Sequence, residues 1–62
     1  MKYLIISRCN NSFGIGYSIH AKISGYRLPE VTFYDYSLPE AIKQYRKHNS
    51  LQGKHFSIIK LF

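Results

Sequence analysis

Between Phe13 and Ile23 the odd positions are apolar: Phe13, Ile15, Tyr17, Ile19, Ala21 and Ile23. The even positions from Gly14 to Ser24 are small or polar. A period of two over this length predicts a strand with one face toward a core and one toward water. Strands of parallel sheets are covered on both faces and read as continuous apolar runs, so the alternation assigns this strand to an antiparallel sheet. Lys2 to Cys9 reads as another strand. Leu4 and Ile6 are its candidate core residues, Tyr3 and Ile5 face the other way, and both sides are apolar enough for a place near the middle of the sheet. Asn10-Asn11-Ser12 is the turn between these strands, because asparagine tolerates positive φ and caps its own backbone.

Gly25 to Glu30 forms the next turn, and Val31 to Tyr36 a third strand rich in β-branched and aromatic residues. Its alternation sets Val31 and Phe33 toward the core and Thr32, Tyr34 and Tyr36 outward. Ser37-Leu38-Pro39-Glu40 opens a helix: serine caps, proline suits the first turn, and Glu40 completes an S-x-x-E box. Leu38, Ala41, Ile42 and Tyr45 follow at i, i+3, i+4 and i+7, one apolar stripe that should end near Asn49 or Ser50, before Gly53. His55 to Phe62 is the last strand. The predicted fold is α+β, a two-layer sandwich with order β-β-β-α-β: a small, mostly antiparallel sheet with the helix stripe packed on its Phe13–Ile23 face. The last strand is free to pair in parallel through the helical crossover, and the strand order is left open.

Sixty-two residues make a single domain. A chain this short buries only about 60% of the surface its unfolded form exposes. One cysteine, Cys9, gives no internal disulfide and points to a reducing compartment. The apolar run at the start ends at Ile6, too short for a signal sequence or a spanning helix, so a cytoplasmic protein without membrane contact is expected. With one face of the sheet uncovered, a homodimer or a tight partner is also expected.

The net charge is +6, and it is segregated. Residues 1–29 and 41–62 contain cations and no acid; Glu30, Asp35 and Glu40 all lie between. Such a balance favours polyanions or acidic protein surfaces. On the open sheet face the pattern gathers Tyr3, His20, Lys22, Tyr34 and Tyr36, rings for base stacking among cations for phosphate. The outer helix face and the segment after it add Lys43, Arg46, Lys47 and Lys54. The candidate nucleic-acid or partner-binding residues are therefore His20, Lys22, Tyr34, Tyr36, Lys43, Arg46, Lys47 and Lys54.

Catalytic chemistry has little to stand on. The carboxylates are scattered, Cys9 has no activating neighbour in sequence, and Gly14-Ile15-Gly16 starts a strand where a nucleotide loop would open a helix. His48 and His55 lack a third ligand, so neither metal nor cofactor is expected. The expected function is non-catalytic binding by stoichiometric occupancy of nucleic acid or of a nucleic-acid-processing enzyme. The bias to residues with AT-rich codons fits a phage or mobile-element inhibitor of host or defence machinery. Two alternatives stand beside it: a homodimeric regulatory or structural module joined through the open sheet face, and a small metal-independent nuclease using His20 with Lys22, or His48 with His55.

Overall fold

Two ten-residue strands, β1 (Lys2–Asn11) and β2 (Gly14–Ile23), form a hairpin that is the backbone of the molecule. The computed structural model describes residues 2–62. The first strand runs past the expected Cys9, because the tight turn is made by Ser12 and Phe13 alone, with Asn11 opposite Gly14. Asn11 Oδ1 accepts the Phe13 amide at 2.8 Å, and Gly14 supplies the positive φ (115°) that brings the chain back.

The expected Gly25–Glu30 turn contains a short strand of its own. β3 (Tyr26–Arg27) follows a two-residue turn at Ser24-Gly25, and β4 (Val31–Tyr34) follows a break at Leu28–Glu30. Both pair antiparallel with β2 along the same edge. Asp35, with φ of 63°, ends β4 two residues earlier than expected. The helix α1 (Leu38–His48) follows, and β5 (Ser57–Lys60) is shorter than the predicted His55–Phe62 segment. β5 pairs in parallel with β1, so the sheet is mixed, with order β3-β2-β1-β5 and β4 beside β3 on the outside of β2. The result is the predicted two-layer α+β fold.

Capping fixes both ends of α1. Ser37 has extended backbone (φ −69°, ψ 159°), and its Oγ accepts the Glu40 amide at 3.4 Å. At the other end Ser50 takes the left-handed conformation (φ 56°). The Leu51 amide donates to Arg46 C=O at 2.8 Å and the Ser50 amide to Lys47 C=O at 3.3 Å, a Schellman closure with serine in the usual glycine place. Leu51 thereby turns into the core.

That core consists of Leu4, Ile6, Ile19, Ala21, Phe33, Ala41, Tyr45, Leu51 and Phe56, with Tyr17, Ile23, Leu28, Leu38 and Ile42 partly buried around it. The faces are assigned as the alternation implies from Tyr17 onward. Phe13 and Ile15, expected on the dry face, are instead 77% and 47% exposed. The reason is length: eleven helical residues span about 17 Å, while ten strand residues span about 33 Å. The helix covers one end of the hairpin, and the turn end projects beyond it.

Tyr45 fills the break in the edge strand. Between β3 and β4 the backbone of Ala21 has no strand partner for its amide. The Tyr45 hydroxyl accepts that amide at 2.9 Å and donates to Pro29 C=O at 2.9 Å, while Leu28 N–H donates to Ala21 C=O. A helix side chain thus completes a hydrogen-bond ladder interrupted where proline brings no N–H. Burial holds the Tyr45 phenol above its ordinary pKa, reinforced by the nearby Glu30 carboxylate and opposed by the Ala21 amide.

Candidate nucleic-acid interface

On the open face, strand register fixes which side chains stand side by side. Tyr3 lies opposite Lys22, and Lys22 lies opposite Arg27. The next row pairs His20 with Ile5 and Ile59, and the one beyond pairs Thr32 with Ser18 and Ser7. Like charges directly opposite one another on a sheet repel. Lys22 and Arg27 are both exposed, and no carboxylate lies within ion-pair distance of either among the described residues. Tyr3, Lys22, Ile23, Ser24 and Gly25 line an open depression of about 300 Å³ beside them.

His20 is less available. Its side chain is 14% exposed, and Nδ1 lies 3.7 Å from Glu30 Oε2. It joins the open face to the loop before β4. Tyr34 lies over Gly16: a Cβ built at Gly16 would meet Tyr34 Cδ1 at 2.9 Å and Phe33 C=O at 3.1 Å. The ring also packs against Phe13, with centroids 5.9 Å apart, and its hydroxyl accepts from Asn11 Nδ2 at 2.9 Å. The glycine lets the ring lie flat on the sheet and the asparagine of the hairpin turn fixes its end. Gly16→Ala is therefore expected to cost about 1–3 kcal/mol through overpacking. The cost should be smaller when Tyr34→Ala is already present. Equal costs in the two backgrounds, measured by denaturant unfolding, would mean that the ring is not what excludes a side chain there.

Tyr36 does not join this face. The left-handed turn at Asp35 breaks the alternation, and the Tyr36 ring meets Phe33, a core residue, edge-on at 5.6 Å. The helix set is separate again. Lys43 and Lys47 are exposed on α1, on the opposite side of the sandwich from Lys22 and Arg27. Arg46 is committed internally: Nη2 donates to Leu51 C=O at 3.4 Å and to Lys54 C=O, and the guanidinium stands 5.8 Å from the centroid of Phe56. It fastens the segment after the helix, holding Leu51 and Phe56 over the core. Lys54 is exposed beside that staple.

Seven of the eight candidate residues thus fall into two groups on opposite faces, and Tyr36 belongs to neither. Of the sheet group, His20, Lys22 and Tyr34 share the open face. Arg27 is the member that the sequence reading passed over. It was counted inside a turn, yet Ser24-Gly25 between Ile23 and Tyr26 is a two-residue hairpin connection, and that signal places Arg27 across from Lys22.

Comparison with family models, with curated proteins and with solved structures gives no match. Among the described residues no group of three or more His, Cys, Asp or Glu side chains is arranged to hold a metal ion, and no helix is long and apolar enough to cross a membrane.

Proposed function

We propose that the chain is a non-catalytic binding protein whose open sheet face takes single-stranded nucleic acid by stoichiometric occupancy. One observation carries this reading: Lys22 and Arg27 stand directly opposite each other, without an acid, next to Tyr3. Two cations held in that register are relieved of mutual repulsion by a phosphate between them. Tyr3 and Tyr34 offer ring surface to unpaired bases, and the small residues Ser7 and Ser18, in a row between them, keep the sheet there low enough for a strand to lie on it. Such an occupant works by covering a site, the mode open to a small single domain.

Fluorescence anisotropy with a labelled oligothymidylate and a duplex of equal length, over a range of salt, tests this. Single strand should bind more tightly than duplex, with affinity falling as salt rises. Lys22→Ala and Arg27→Ala should each reduce the log–log slope by about 0.7. Tyr34→Ala should weaken single strand more than duplex. Lys43→Ala and Lys47→Ala, on the far side, should leave the slope unchanged. Absence of binding at low salt, or a slope set by the helix lysines, refutes the reading.

A further inference from the structure

The two edges of the sheet are treated differently. Along the outside of β2 the edge is blunted: β3 has two residues, β4 has four, and Pro29 and the Tyr45 hydroxyl occupy the gap. Short, interrupted edges resist pairing with another chain. β5 has no such protection. All four of its residues are exposed, although Ile58 and Ile59 are strong strand formers. Leu61, directly after it, is 65% exposed, while the Phe62 ring packs on Tyr17 with centroids 5.8 Å apart.

Backbone polarity along this strand is fixed by its pairing. The Leu61 amide donates to Ile6 C=O at 2.8 Å. Alternation then directs Ser57, Ile59 and Leu61 toward β1, and leaves the N–H and C=O groups of Ile58 and Lys60 pointing outward. The side chains alternate as well. Ile59 and Leu61 lie on the open face, and Ile58 and Lys60 on the helix side, in register with Leu4 and Ile6. On that side Lys2 and Arg8, both exposed, stand at either end of the same stretch of β1. Glu30 and Asp35 flank β4 at the far edge and Glu40 sits in the first turn of α1, so none of the acids lies on β1, β5 or the segment between α1 and β5.

We propose that the outer edge of β5 is a strand-addition site for an extended segment of a partner protein, apolar toward Ile59 and Leu61 and acidic toward Lys60, Lys2 and Arg8. The outward backbone groups of Ile58 and Lys60 supply main-chain hydrogen bonds, and the alternating side chains supply specificity. Charge selects this occupant over the others. A second copy pairing through the same edge would set another Lys60, Lys2 and Arg8 against these, with its acids away on β4 and α1. A nucleic acid strand has no amide ladder for Ile58 and Lys60 and no apolar side chains for Ile59 and Leu61. The β5 edge lies on the far side of β1 from the Lys22–Arg27 pair, and the inference stands independently of that pair although Ile59 shares the open face with it.

The test uses two short, end-capped peptides, one alternating valine with glutamate and one alternating valine with lysine. Binding is read by anisotropy and by amide hydrogen exchange of the intact chain. The glutamate peptide should bind at least about fivefold more tightly than the lysine peptide at low salt, and should slow exchange at Ile58 and Lys60. Lys60→Glu should abolish or reverse that preference. Ile58→Pro should weaken binding of the glutamate peptide while the fold persists, since proline is tolerated where an edge N–H faces outward; should that variant not fold, Lys60→Glu decides. Lys22→Ala with Arg27→Ala should leave peptide binding intact. Equal binding of the two peptides, protection confined to other amides, or a free chain that sediments as a dimer with Ile58 and Lys60 already protected would each overturn the proposal.

Discussion

Ile19→Ala is expected to cost about 2–5 kcal/mol, and Ser18→Ala, one residue earlier, less than about 1 kcal/mol. Ile19 is fully buried, in register with Ile6 on β1 and Val31 on β4, within the core cluster that also holds Ala41 and Tyr45 from α1. A cavity there is walled by two neighbouring strands and a helix, so collapse into it is restricted. Ser18 faces the open side, where its hydroxyl makes a 2.8 Å bond to that of Thr32, which water can replace. A natural domain has about 5–15 kcal/mol in total, and a chain this short sits near the low end. At about 4–8 °C per kcal/mol for a domain of this size, the Ile19 variant should melt roughly 8–40 °C lower. Thermal and denaturant unfolding of the two variants give the comparison. A larger loss from Ser18→Ala would invert the assignment of faces on which both the core and the candidate interface rest.

The local half of the fold was legible because local chemistry decides it. Alternation in β2 required a wet and a dry face, Ser37 and Glu40 marked the start of α1, and Leu38, Ala41, Ile42 and Tyr45 set its buried side. The errors lie where a distant partner decides. Phe13 and Ile15 fit the apolar alternation, but no periodicity reports that the helix is half as long as the strand it covers. Tyr26 and Arg27 read as part of the Gly25–Glu30 turn, because nothing local shows that they pair with β2 and that Tyr45, far along the chain, completes the ladder at the gap after them. The pairing of β5 with β1 joins residues more than fifty positions apart, beyond the reach of any window.

The same division applies to the candidate site. Lys22, His20 and Tyr34 were placed on the open face by parity alone, and the register agrees. Tyr36 was lost to one left-handed residue, Asp35. By helical position Arg46 belongs to the outer basic face with Lys43 and Lys47; its actual partners, Leu51 and Lys54 C=O, become available only once the Schellman turn folds the chain back. The helix lysines stand apart from Lys22 and Arg27, which form one cross-strand pair on the open face.

Tyr45→Phe should be costly for a change of one oxygen atom, about 1–3 kcal/mol. The ring would still fill its fully buried place in the core. What disappears is a hydroxyl that accepts from the buried Ala21 amide and donates to Pro29 C=O, and each of those backbone groups would be left without its partner. Tyr26→Phe, on an exposed ring, is the matched control and should change stability little. Hydrogen exchange locates the effect: the Ala21 amide should lose protection in the Tyr45 variant more than the amides of Leu4 or Ile6 on the next strand. A second signature follows from the raised pKa of the buried phenol. Below about pH 10 the hydroxyl is neutral in the folded and the unfolded chain, and its contribution is fully present. Above that pH the unfolded chain releases the Tyr45 proton while the folded chain retains it, so the unfolded state binds fewer protons and stability falls as pH rises through the folded pKa. Wild type should therefore lose stability more steeply than Tyr45→Phe on the alkaline side. Parallel alkaline limbs, together with an unchanged Ala21 exchange rate, would show that the hydroxyl does not hold the broken edge of the sheet.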